Sequence, residues 1–347
     1  MFIIGIGRVL GSLYSSGQFC ERAELEFQKY NSYCLTMRQS PLLNTYEKFQ
    51  EVQSQFSEFA VTYMDLQIYL AIFKEVVEKG IDNLSNKNEI LGSLLLGLGD
   101  VLTAKQDEEL LQIIQEISKE DSCKKYFVEE SNLNWSEIRE KFKSFAFVSK
   151  IEHFLFYYGF RSKYELEVAS PRWEEDPTDM LKFIQMGVQS NVPLRFKEEL
   201  KQKRMEAEKV AIGNQNFLMK SMYSWAVRKF QQMMRLRENC KAVVVHFIAV
   251  QRRILLEMSK KFIENKTIDS ADDLFHITLS DLQALVEGKA QNLAQNVTFN
   301  KNAWEKYKAI IAPEVFIGNE PYFKNISNNV KIFLLIRCNF VSRVKMT

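Results

Sequence analysis

The residues best equipped for chemistry lie between Gly159 and Pro177, in the run GFRSKYELEVASPRWEEDP. Arg161, Glu165, Glu167, Arg172, Glu174, Glu175 and Asp176 crowd around Trp173 and the prolines Pro171 and Pro177. Arginine presents a planar fork of N–H donors that matches a phosphate or carboxylate. Each proline disfavours the helical region for the residue before it, so the segment is irregular but fixed in shape. Two readings fit this composition. The segment is a structural ion-pair knot joining helices, or it is the polar wall of a substrate or inter-domain pocket.

Other chemistries find little support. His153, His246 and His276 lie far apart and have no Cys or His partner at ligand spacing, so each reads as a surface or satisfied core residue and no metal site is expected. Nucleophile-elbow, phosphate-loop and zinc-protease motifs do not occur. GIGRVLG, Gly5–Gly11, has the spacing GxGxxxG rather than GxGxxG, and too few residues precede it to form a full strand. Asn83, Asn134, Asn265, Asn296 and Asn325 head Asn-x-Ser/Thr triplets, which matter only in a secreted protein. No catalytic or cofactor-binding residue is assigned.

The composition bounds the class. The 347 residues are 46% hydrophobic and 26% charged, an ordinary globular balance with material for a sizeable core. A net charge of +2 gives no electrostatic reason to expect a nucleic-acid or membrane partner. The five cysteines are odd in number, scattered and free of CxxC, which fits a reducing, cytoplasmic setting. The N-terminus, MFIIGIGRVLGSLYSSG, lacks a basic stretch before its apolar one, and Arg8 interrupts it, unlike a signal peptide. No apolar run reaches the roughly 18 residues of a membrane span.

The elements that must position the charged segment read as helices. Glycine (13) and proline (6) are scarce. Phe56, Phe59, Tyr63, Leu66, Leu70, Phe73 and Val77 recur at spacings of three and four, predicting a helix over 55–79 with Gly80 as its left-handed cap. A second helix starts near Thr103, where Thr103 and Gln106 have capping-box spacing, and buries Leu110, Leu111, Ile113, Ile114 and Ile117. A third, capped by Asn134 and Glu137, carries Ile138, Phe142, Phe145, Val148, Leu155 and Tyr158 and ends at Gly159. Residues 194–210 read as a solvated helix, 214–261 as a long helix, and helices from Ser280 and over 304–311 follow. The expected fold is all-α, with minor extended segments near 160–176 and 273–278.

The charged segment also carries a resemblance. It is similar to the pattern G-H-R-G-x-x-E-x-D-x-x-x-P-R-W-x-E-D-P of the phosphoenolpyruvate synthase and rifampicin phosphotransferase-like family, matching at Gly159, Arg161, Glu165, Pro171, Arg172, Trp173, Glu175, Asp176 and Pro177. Phe160 stands at the histidine and Glu167 at the aspartate of that pattern. RENCK, Arg237–Lys241, followed by Arg252 or Arg253 and by DDLFHITLSDL, resembles the family's R-E-x-x-K and D-D-I-F-x-L-T-x-x-E-L. LLLGLGDVLTA and PEVFIGNEP resemble further family stretches in the right order.

The resemblance implies a helical acceptor-binding domain over 91–321, after a weakly matched helical region over 1–90 and before an unmatched tail over 322–347, as in a truncated gene model. In the family, an ATP-grasp domain splits ATP with Mg, and a mobile domain carries a phosphohistidine. This chain resembles the helical part alone. Expected partners are a small-molecule phosphoryl acceptor and those two domains supplied elsewhere. Arg161, Glu165, Arg172, Trp173, Glu175, Asp176, Arg237, Glu238 and Lys241 become candidates for substrate binding or for a domain interface. The expected function is a partial ATP-dependent phosphotransferase, inactive as a single chain; the alternative is a catalytically inert ligand-binding or scaffold protein derived from the family.

Overall fold

The computed structural model describes the backbone of residues 2–190 and 196–308, with side chains for 15–190 and 198–306. These residues form two compact units that divide between Met258 and Ser259. All regular structure among the described residues is helical.

The first unit opens with α1 (Phe2–Gln39) packed on α2 (Thr45–Gly80). Residues Gly5–Gly11 lie within α1, not in a loop. Phe59, Leu66, Leu70, Phe73 and Val77 are buried along α2, as their spacing predicts. The helix begins earlier than predicted because Phe49 and Val52 extend the same buried face. Gly80 is not a left-handed cap. A Cβ there would lie 2.0 Å from Cε2 of Tyr223, so glycine is needed for close packing instead.

Next come α3 (Lys87–Ser93), α4 (Leu102–Lys119), α5 (Asp121–Glu129), α6 (Trp135–Lys141), α7 (Ala146–Tyr158) and α8 (Thr178–Ser190). Ile113, Ile117, Phe127, Ile138, Phe147, Ile151, Phe154 and Ile184 interlock between them as one core. Such burial is the main favourable term in folding. The Asn134 side chain caps α6 as predicted, accepting from the N–H groups of Ser136 and Glu137. The single helix expected up to Gly159 is two, because the chain turns at Phe142–Phe145. The capping box at Thr103 and Gln106 does not form. The cap comes instead from α10 (Lys220–Glu264), which follows α9 (Phe196–Gly213): Asn239 Oδ1 accepts the Leu102 N–H at 2.8 Å, and its Nδ2 donates to the Asp100 carbonyl.

In the second unit, the extended segment expected at 273–278 is a 3-10 helix, Ala271–His276, with extended backbone only at Ile277 and Thr278. Asp273 explains the difference. Its carboxylate accepts the N–H groups of Asp269 and Ser270, winding the chain into a turn. Then follow α11 (Leu279–Val286), capped by Thr278, and α12 (Leu293–Lys308). Residues 309–311 of the predicted last helix, the PEVFIGNEP run and the tail lie outside the described residues. Among the described residues no helix is long and apolar enough to cross a membrane.

Candidate functional site

The segment between α7 and α8 is a closed loop rather than a strand. Its ends are joined by backbone hydrogen bonds from Trp173 N–H to the Arg161 carbonyl (2.8 Å) and from Glu174 N–H to the Gly159 carbonyl (3.0 Å). This is the geometry of an Ω-loop, whose interior is filled by its own side chains. Gly159 permits the closure, since a Cβ there would lie 2.8 Å from Cβ of Glu174 across the joined ends.

Arg172 fills the loop and is wholly buried. It donates from Nη1 to the Ser162 hydroxyl and the Glu165 carbonyl, and from Nη2 to the Glu167 carbonyl at 2.7 Å. Burial, together with the nearby Arg252, pulls its pKa down to about 10, against the pull of neighbouring glutamates. Around the loop, arginines from distant helices clamp the carboxylates. Arg38 of α1 donates to both oxygens of Glu174. Arg252 of α10 donates to both oxygens of Glu175. Arg253 donates to the carbonyls of Met37 and Ser40. Asp176 Oδ1 accepts from the backbone N–H and the hydroxyl of Thr178, starting α8.

Phe160 is buried and stacks on His246, ring centroids 4.2 Å apart at 15°. His246 Nε2 lies 3.3 Å from Arg38 Nη1 and so accepts from it. The proton then sits on Nδ1, which has no partner. Burial first, then the charges of Arg38 and Arg161, holds the imidazole well below its usual pKa, so it is neutral.

The loop also forms one side of a cavity of about 1030 Å³, a generous size for a small-molecule site. Ser162, Lys163, Tyr164, Glu165, Leu166, Glu167 and Trp173 supply that side. Gln106, Asp107 and Leu110 of α4, Asp179, Lys182, Phe183 and Met186 of α8, and Lys241 of α10 supply the rest. Tyr164, Leu166, Phe183 and Met186 are exposed apolar side chains. Glu165 accepts from Arg161 Nη1 at 2.6 Å and faces Lys241 Nζ at 3.4 Å. A smaller cavity of about 570 Å³ is lined by Arg38, Trp135, Glu152, Phe156, Glu174 and Asp176, among others.

The predicted residues thus divide by location. Arg172, Glu175 and Asp176 hold the loop and its neighbours; Glu165, Trp173 and Lys241 border the large cavity. Arg161 is buried beside Glu165, and Arg237 pairs with its neighbour Glu238 on α10. Sequence reading missed Arg38, Gln106, Asp107, Phe183 and Met186. Nothing in their local spacing marks them, because each reaches the site only through tertiary packing. Among the described residues no group of three or more His, Cys, Asp or Glu side chains could hold a metal ion.

The family model described as the rifampicin phosphotransferase fourth domain matches residues 54–238, a span that contains the entire Ω-loop. A rifampicin phosphotransferase of Bacillus cereus is 23% identical over 181 residues, covering 49% of this chain and 20% of that protein. The prodigiosin synthesizing transferase PigC of Serratia marcescens is 26% identical over 142 residues, covering 41% of this chain and 16% of that protein. The matched region therefore spans a fifth or less of the length of these relatives.

Proposed function

Because the chain belongs to the rifampicin phosphotransferase fourth-domain family, we propose that its helical body is the acceptor-binding region of an ATP-dependent phosphotransferase and that the large cavity holds the acceptor. The observation that carries this reading is the cavity's wall. The family's signature loop forms one side of it, with apolar side chains open to the space and Lys241 beside Glu165. Ligand sites combine such an apolar lining with a few placed polar groups.

In this reading ATP is split, with magnesium, on an ATP-grasp domain, and a phosphohistidine domain carries the phosphoryl group to the cavity. Phosphoryl transfer depends on metal ions that neutralise the phosphates. This reading places that chemistry on the other domains and assigns none of it to the described residues. Their role is to bind and orient a small molecule in the cytoplasm, with no nucleic-acid or membrane partner.

Titration of the purified chain with rifampicin, followed by tryptophan fluorescence, tests the reading, since Trp173 lines the cavity. Saturable quenching is expected, and Phe183→Asp abolishes it at an unchanged melting temperature. Quenching indifferent to Phe183→Asp, or no binding, overturns the cavity assignment. Transfer of phosphate from ATP by this chain alone would overturn the division of labour.

A second reading, a catalytically inert ligand-binding or scaffold protein, is favoured by one observation. At the position where the family pattern has histidine, Phe160 is packed face to face with His246, and a phenyl ring carries no proton. The readings part on adding a phosphohistidine donor domain from a relative: phosphorylation of bound acceptor supports the first, and binding without phosphorylation supports the second.

A further inference from the structure

One arginine stands apart from the rest. Every other arginine whose side chain is described already holds an acceptor, as Arg22 holds Asp65, Arg139 holds Glu152 and Arg228 holds Ser224. Arg235 of α10 is half-buried and has no hydrogen bond or ion pair among the described residues. A guanidinium cannot shed its charge to suit such a position, so its whole fork of N–H donors remains to be used.

Arg235 lines a further pocket of about 420 Å³, walled by α1, α10 and the start of α4. That volume falls within the range of small-molecule sites. Phe27, Leu102 and Leu236 supply its apolar surface. Two of its four charges are matched, since Lys105 and Asp100 face each other at 3.7 Å. The remaining acid is Glu24 of α1, also half-buried. It accepts a long hydrogen bond of 3.4 Å from Gln28, one turn along the same helix. Glu24 and Arg235 thus reach one pocket from different helices, and no ion pair joins them.

A pocket with these charges discriminates by sign. A simple anion gains Arg235 but meets Glu24, and a simple cation gains Glu24 but meets Arg235. A molecule that carries both signs satisfies both walls. We propose that this pocket binds a small zwitterion, a free amino acid with an apolar side chain. Its carboxylate takes the Arg235 fork, the pairing for which that planar group is suited. Its ammonium group faces Glu24, and its side chain lies against Phe27, Leu102 and Leu236. No residue lines both this pocket and the large cavity, so the proposal does not depend on where the acceptor binds.

The experiment titrates the full chain calorimetrically with L-leucine, N-acetyl-L-leucine and L-leucinamide near neutral pH. Acetylation removes the ammonium charge and amidation the carboxylate, while the side chain stays the same. Leucine is expected to bind at least about tenfold tighter than either derivative, the size of one hydrogen bond to a charged group. Arg235→Gln brings leucine and leucinamide within about twofold of each other, and Glu24→Gln does the same for leucine and N-acetyl-leucine. The proposal is overturned if leucine does not bind, if it binds no tighter than either derivative, or if its preference survives both substitutions. A rival arrangement, in which Glu24 and Arg235 close on each other in solution, is tested without ligand. Urea midpoints of the two single variants and the double variant complete a cycle. Midpoints near the parent's and additive effects are expected, because neither side chain ties one helix to another. A favourable coupling between the two positions means that the charges satisfy one another, and it overturns the proposal.

Discussion

Arg252 grips both carboxylate oxygens of Glu175, with Nε and Nη2 contacts of 2.8–3.1 Å, and spends Nη1 on the carbonyls of Val168 and Ala169. One side chain from α10 thereby fixes both the middle and the end of the Ω-loop. Replacing it by Met removes this donor from two carbonyls and leaves the carboxylate with the Arg172 backbone N–H, 3.3 Å from Oε1. Breaking a buried pair costs several kcal/mol, but the Glu175 side chain is 32% exposed and water recovers part of the loss. Arg252→Met is expected to lower stability by about 2–3 kcal/mol in urea unfolding. Glu175→Gln, which still accepts, loses about 1 kcal/mol. Equal losses in the two variants would contradict the bidentate arrangement.

Arg172 serves three acceptors, Ser162, Glu165 and Glu167, from two nitrogens. An ammonium is a point donor and cannot reproduce that fork. Arg172→Lys keeps the charge yet is expected to cost about 2 kcal/mol or more and to speed proteolysis within 159–177. A variant that unfolds at the same urea midpoint as the parent would remove Arg172 from the loop's framework.

His246 makes stability depend on pH with a definite sign. Its folded pKa is depressed and its unfolded pKa is the ordinary one, about 6.5. Above that value both states hold a neutral ring and nothing is lost. As pH falls below it, the unfolded chain takes up a proton that the folded one refuses, so stability declines by up to about 1.4 kcal/mol per pH unit. His246→Gln keeps an acceptor for Arg38 but does not titrate. Urea midpoints measured from neutral pH down to about 5 should therefore diverge, the parent falling more steeply. Parallel curves would mean that His246 charges freely in the folded state.

Gly80 is predicted to tolerate no side chain. The Tyr223 ring that would meet its Cβ is itself anchored, its hydroxyl donating to the Val77 carbonyl at 2.8 Å. Gly80→Ala therefore either displaces a buried ring or breaks that bond. A loss of about 1–3 kcal/mol is expected, outweighing the gain in helix propensity. A stabilised Gly80→Ala protein would show that the ring yields at no cost.

Much of this molecule could be read from its chain, and the boundary follows contact distance. The buried face of α2 was legible because helical spacing repeats within a few residues. So was the Asn134 cap, whose acceptor and donors lie two and three residues apart. The cap of α4 was not, because Asn239 reaches it across 137 residues and Thr103 only mimics the local pattern. The 3-10 turn at Ala271–His276 was misread as extended, since a single carboxylate, Asp273, decides between the two.

The same boundary runs through the site. By itself the sequence determined the all-helical class, the family, and the loop from Gly159 to Pro177 with its charged residues in order. It could not say which of those charges face inward. Only the tertiary structure decided that Arg172 and Glu175 are spent on holding the loop while Glu165 and Trp173 face a cavity completed by Asp107, Phe183 and Lys241. The reason is physical. Residue type and local periodicity specify helices through neighbours in sequence. Partners such as Arg38 and Glu174, 136 residues apart, are chosen only when whole helices pack.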